Sequence, residues 1–132
     1  MKLRFYISLF ITLCTLSIAA QKAELSVAVS KNKLGLNQRL RIEYSINKQG
    51  ADNFKAPDFT GFSVIQGPSQ SVSQSWINGK VSFSQSYSYI LKPKRQGELI
   101  IKPASINING GTIDSKMMKI IVTEPIATPE NP

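Results

Sequence analysis

Hydrophobic side chains recur at every second position along most of this chain. Leu25, Val27 and Val29 alternate with Glu24, Ser26 and Ala28, and Leu40, Ile42, Tyr44 and Ile46 alternate with Arg39, Arg41, Glu43 and Ser45. Successive side chains of a β-strand point to opposite faces, so a period of two marks strands with one buried face, and a helix cannot satisfy it. The signal is clearest in the middle of the chain. Val72, Gln74 and Trp76 alternate with Ser71, Ser73 and Ser75. After Asn78-Gly79, Val81, Phe83, Tyr87, Tyr89 and Leu91 alternate with Ser82, Ser84, Ser86 and Ser88. Asn-Gly between two alternating runs is a strong hairpin signal, because a type I′ turn needs positive φ at both central residues. A two-residue loop pairs Ile77 with Lys80, Trp76 with Val81 and Gln74 with Phe83. This register puts the aromatic residues of both strands on one face and the serines on the other. The reading therefore assigns Trp76, Phe83, Tyr87 and Tyr89 to the core and leaves a serine ladder facing water or a partner.

The turns complete the pattern. Gly61 precedes the short run Phe62, Val64, Ile65, and Gly67-Pro68 follows it as a turn. Lys92 to Gly97 is a turn holding Pro93 and Gly97. Leu99 and Ile101 begin another strand, which Pro103 ends or places on an edge. Ile106 and Ile108 continue to a tight turn at Asn109-Gly110-Gly111, and Thr112 to Thr123 reads as one closing strand, with a bulge expected at Met117-Met118. Seven or eight short strands with turns every eight to twelve residues and no helix-period segment predict an all-β, immunoglobulin-like sandwich of antiparallel strands, with a small barrel as the competing architecture. Glu124 to Pro132 (EPIATPENP) holds three prolines and reads as a linker or tail.

Residues 1–20 stand apart. Lys2 and Arg4 precede a charge-free run from Phe5 to Ile18, then Ala19 and Ala20, the layout of a secretory signal peptide cleaved after Ala20. A spanning helix needs about 20 apolar residues, more than this run supplies. Cys14 is preceded by Leu13, Thr12 and Ile11 rather than by a small residue, so it reads as part of the apolar run and not as a lipid-attachment site. The expected division is a signal peptide over 1–20, a sandwich domain over 21–123 and a tail over 124–132, the mature protein being exported to the periplasm or the periplasmic face of the envelope.

Composition limits the chemistry. The chain has no His, and its single Cys is Cys14. Without His there is no Ser-His-Asp triad, no imidazole base and no His metal site, and without a mature Cys there is no thiol nucleophile, zinc-thiolate cluster or disulfide. None of the eight acidic residues is spaced as a calcium loop. No catalytic, cofactor-binding or metal-binding residue is assigned. Once Lys2 and Arg4 are removed, 14 basic residues face 8 acidic ones. They are scattered, with no run long enough for a nucleic-acid arm. A protein that binds or assembles is expected, not an enzyme. A glycan-binding module using Trp76 and the tyrosines is the alternative.

The stretch from Phe54 to Gly111 resembles the BatD-type aerotolerance (oxygen tolerance) proteins of the bacterial envelope. Pro57-Asp58-Phe59-Thr60-Gly61-Phe62-Ser63-Val64, Gly67-Pro68-Ser69-Gln70-Ser71 and Ile77-Asn78-Gly79 carry the likeness. Tyr89-Ile90-Leu91-Lys92-Pro93 and then Gly97, Ile101, Ala104 and Asn109-Gly110 extend it. The resemblance implies a periplasm-facing protein that works with membrane partners carrying von Willebrand A-type domains. It brings no catalytic residue. It also implies longer relatives, with several sandwich domains and a C-terminal membrane helix. This chain is then expected to correspond to a first domain, associated with the membrane only indirectly.

Overall fold

The computed structural model describes residues 22–127. The leader expected over 1–20 and the last five residues of the expected tail lie outside the described residues. Ten strands form: β1 (Leu25–Val29), β2 (Lys33–Gly35), β3 (Leu40–Ile46), β4 (Asp52–Lys55), β5 (Phe62–Ile77), β6 (Lys80–Pro93), β7 (Gly97–Ile101), β8 (Ser105–Ile108), β9 (Gly111–Asp114) and β10 (Met118–Thr123). They make a four-stranded sheet in the order β1-β3-β6-β5 and two three-stranded sheets, β2-β10-β7 and β4-β8-β9. The sheets stay open-edged and pack face to face, so the molecule is an all-β sandwich rather than a closed barrel.

Alternation explains the core. On β3, Leu40, Ile42, Tyr44 and Ile46 are buried, while Arg41 between them is exposed and Glu43 and Ser45 are half-buried. On β6, Tyr87, Tyr89 and Leu91 point to the same side. The smaller sheets answer with Leu34, Leu99, Ile101, Ile106, Ile108, Ile120 and Val122. Aromatic contacts tie β4 to the large sheet: Phe54 stacks on Tyr87 at 4.2 Å between ring centroids and lies 5.5 Å from Tyr44. Such pairs contribute about 0.5–1.5 kcal/mol beyond the area they bury. Tyr87, Tyr89 and Tyr44 all have phenols pushed up from their ordinary pKa, chiefly by burial.

Several expectations need correction. The short strands β2 and β4 carry no alternation that could announce them, being three and four residues long. β2 also pairs in parallel with β10, so the strands are not all antiparallel. Thr112 to Thr123 is two strands, not one. β9 pairs with β8, whereas β10 pairs with β7 and β2 in another sheet. The break is pinned at Ser115, which is buried. Its hydroxyl accepts from the Ala104 N–H at 2.9 Å, and its own N–H donates to the Ala104 carbonyl at 2.9 Å. Met117, on the exposed side of that crossing, is left outside the core.

Gly67-Pro68 is not a turn between strands. It lies inside the single long strand β5. The register against β6 slips there, between Val64 and Gln66 and again between Gln66 and Ser69, so the chain absorbs extra residues as bulges and keeps pairing. Glycine is needed at this point for two reasons. Its φ is +123°, and a Cβ would come within 2.7 Å of the Ser88 carbonyl oxygen. At the other end, the first residues after β10 are held to the domain. The Asn37 amide donates to the Ile126 carbonyl at 2.8 Å, and its oxygen accepts from the Ile126 N–H at 2.9 Å.

Candidate functional site

The Asn78-Gly79 turn has φ of +52° and +76°, and the pairs Ile77–Lys80, Trp76–Val81 and Gln74–Phe83 form around it. Asn109-Gly110 turns in the same way, with φ of +53° and +76° between Ile108 and Gly111. Gly97 opens β7 at φ +111°. These residues build the frame and carry no reactive group. Phe59 and Phe62, from the segment Pro57–Val64, sit in the core, with Phe59 5.1 Å from the Tyr89 ring.

What the β5–β6 hairpin does next to the core is the main departure from the sequence reading. β3 runs beside β6 only as far as the pair Ile46–Gln85. Beyond Gln85, β5 and β6 continue as a two-stranded ribbon, with no third strand among the described residues. The face that holds Tyr89 and Tyr87 lower down carries Phe83, Val81, Trp76 and Val72 here. Trp76 is 73% exposed, Val72 65% and Val81 47%, and Phe83 is only half-buried. The assignment of Trp76 and Phe83 to the core is therefore incorrect. The strand period is right, but the opposing layer ends before it reaches them.

Of the ten large hydrophobic side chains exposed among the described residues, six lie on this hairpin: Val64, Ile65, Val72, Trp76, Ile77 and Val81. Scattered single apolar residues are ordinary on a protein surface, whereas Val72, Trp76 and Val81 share one face of the ribbon. Charge is nearly absent here as well. From Phe59 to Leu91 the sole charged residue is Lys80. A groove of about 530 Å³ runs between the ribbon and the β3–β4 loop, lined by Gln74, Trp76, Val81 and Phe83 on one side and Asn47, Lys48 and Gln49 on the other. Asn47 is fixed in place, accepting from the Glu24 N–H at 2.9 Å and donating to the Lys22 carbonyl at 3.1 Å. The groove offers an indole face, amides and a cation, groups that can hold a ligand.

The described residues form other hollows as well. One of about 420 Å³ lies between Gly50, Asp52 and the Asn107–Thr112 turn, with Asp52 as its one carboxylate. Asp58 has its carboxyl held below the usual range by a hydrogen bond from Thr60, with the Lys102 charge adding to the effect. It is an exposed residue stabilising its own turn. Among the described residues no cluster of three acidic, Cys or His groups is placed to hold a metal ion, and no helix is long and apolar enough to cross a membrane.

No curated protein and no solved structure matches the chain. A family model does, that of the BatD DUF11-like domain, over residues 27–122. The match begins within β1, ends at the penultimate residue of β10, and includes the whole hairpin. The chain therefore belongs to the BatD family, through a domain that makes up most of its length.

Proposed function

We propose that this chain is a non-catalytic interaction module of the bacterial cell envelope, exported by its leader and acting in assembly with membrane proteins that carry von Willebrand A-type domains. Proteins of the BatD family are envelope-associated and are not known as enzymes. The observation that carries the reading is the ribbon Val72–Phe83, an exposed, nearly uncharged apolar surface held out from a packed sandwich. A surface of that kind loses little solvation when covered by another protein. Crosslinking followed by mass spectrometry on the tagged gene product in its native envelope tests it. Recovery of von Willebrand A-type membrane proteins, with crosslinks on the hairpin, is the expected result. Recovery of no protein partner would count against assembly.

A second reading is favoured by one specific observation. Trp76, at 73% exposed and beside the amides of Gln74, Asn47 and Gln49, has the composition of a sugar-stacking platform. Titration with envelope oligosaccharides, followed by the emission of this single tryptophan, separates the two. A saturable change that is lost in Gln49→Ala would favour the glycan.

A further inference from the structure

Among the described residues the outer edge of β5 has no partner strand, because the sheet order ends β6-β5. Proteins ordinarily blunt such edges with short strands, prolines or charges. The segment Ser69–Ile77 (SQSVSQSWI) has none of these devices: it is nine residues long, without a charge and without a proline. The ribbon is also short of support, since an isolated two-stranded hairpin is marginal in water and needs a third strand. We propose that this edge is the docking site for a second copy of the same chain, pairing antiparallel with its own β5 about Ser73.

Three features of the segment fit a second copy. The first is hydrogen bonding. A two-residue turn makes Ile77 and Lys80 a hydrogen-bonded pair, and bonding alternates along an antiparallel ladder. The N–H and C=O of Gln70, Val72, Gln74 and Trp76 therefore face away from β6. A two-fold axis at Ser73 sets Val72 opposite Gln74 of the second copy and Gln70 opposite its Trp76. All four residues on each copy are matched, giving about eight backbone bonds, within the range of a specific interface. Pairing stops at Ser69, where the β5 register slips and Pro68 has no N–H to offer.

The second feature is the match of faces. Serines meet serines on one side. On the other, each Trp76 lies diagonal to Val72 of the second copy, so that the exposed apolar residues join into one stripe. The third is charge. Outside residues 1–20 the chain carries 14 basic and 8 acidic residues, a formal net charge of +6, which opposes self-association over most of its surface. The ribbon is nearly neutral, and antiparallel pairing sends the two basic bodies to opposite ends of a ladder about 30 Å long. That separation exceeds the screening length of about 8–10 Å at physiological salt. A partner strand of acidic character would find a single cation here, Lys80. A neutral strand identical to this one finds a full match.

Disulfide trapping tests the register. Ser73 would face itself across the axis as a non-hydrogen-bonded pair, with Cα atoms about 4.5 Å apart, close enough for a disulfide. The full chain is expressed with its leader as Cys14→Ser, so that an introduced thiol is unique. Ser73→Cys is then expected to form a disulfide-linked species of twice the chain mass under mild oxidation. Ser84→Cys, on β6 and away from the edge, should form at least tenfold less. Adding Val72→Lys to Ser73→Cys should cut the yield at least tenfold, by placing two like charges in the ladder. Val72 is exposed, so that variant keeps its fold, and its circular dichroism checks this. A Ser73→Cys chain that stays monomeric while its thiol reacts freely with a soluble reagent overturns the proposal. So does equal linkage at Ser84. Capture of a different envelope protein at Ser73, without the dimer, overturns the second copy but leaves the assembly reading intact. A dimer with no other protein recovered from the envelope does the reverse.

Discussion

Replacing Trp76 by alanine should cost this domain much less stability than replacing an aromatic residue of the core. A fully buried aromatic side chain buries about 150–250 Å², and Trp76, at 73% exposed, buries roughly a quarter of that. At about 25 cal/mol per Å², burial of some 50–60 Å² amounts to ~1.5 kcal/mol at most. Tyr89 supplies the contrast. It lies on the same face of the same hairpin, six residues below Phe83, but is 7% exposed and packs against Phe59 and Tyr44. Tyr89→Ala leaves a cavity in the core, and large-to-small aromatic changes of this kind cost about 3–5 kcal/mol. Urea unfolding of both variants, at a chain concentration too low for self-association, measures the difference. The wild-type emission should lie to the red and be quenched by iodide, since Trp76 is the only tryptophan. Equal losses for the two variants, or a blue-shifted emission resistant to iodide, would show that the opposing layer covers the ribbon and that the geometry argued above is wrong.

Other expectations follow from the core and its turns. Gly67→Ala places a Cβ 2.7 Å from the Ser88 carbonyl oxygen at a φ of +123°, and should destabilise by about 2 kcal/mol or more, read as a lower urea midpoint. Ser115→Ala removes the acceptor of the buried Ala104 N–H and should cost about 1–3 kcal/mol, with β9 and β10 gaining hydrogen-exchange rate first. All three described tyrosines have raised phenol pKa values in the fold, so the folded state holds protons that the unfolded state releases. Stability is full below about pH 10, where unfolded tyrosine titrates, and falls as pH rises beyond it, by up to about 1.4 kcal/mol per pH unit per tyrosine. Absorbance at 295 nm should therefore rise together with unfolding. A separate phenol titration near pH 10 in the folded domain would contradict the burial of Tyr44, Tyr87 and Tyr89.

The sequence by itself determined what depends on neighbours along the chain. Alternation announced β1, β3 and the two long strands. Asn78-Gly79 and Asn109-Gly110 set both hairpins, because a two-residue loop of positive φ leaves one register open. The missing His, and a single Cys confined to residues 1–20, removed whole classes of chemistry from the domain before any fold was known. Tertiary structure decided everything that depends on what lies across the sheet. β2 and β4 are too short to carry a period and exist only because β10 and β8 offer them edges. Ser115 divides the stretch Thr112–Thr123 between two sheets through its contact with Ala104, eleven residues away. Gly67-Pro68 carries the composition of a turn, yet β6 keeps it in a strand. Trp76 shows the limit most clearly. The period of a strand says which side chains share a face, and Trp76 shares its face with the core tyrosines. Whether that face is covered depends on where the opposing layer stops, and the layer stops short of it.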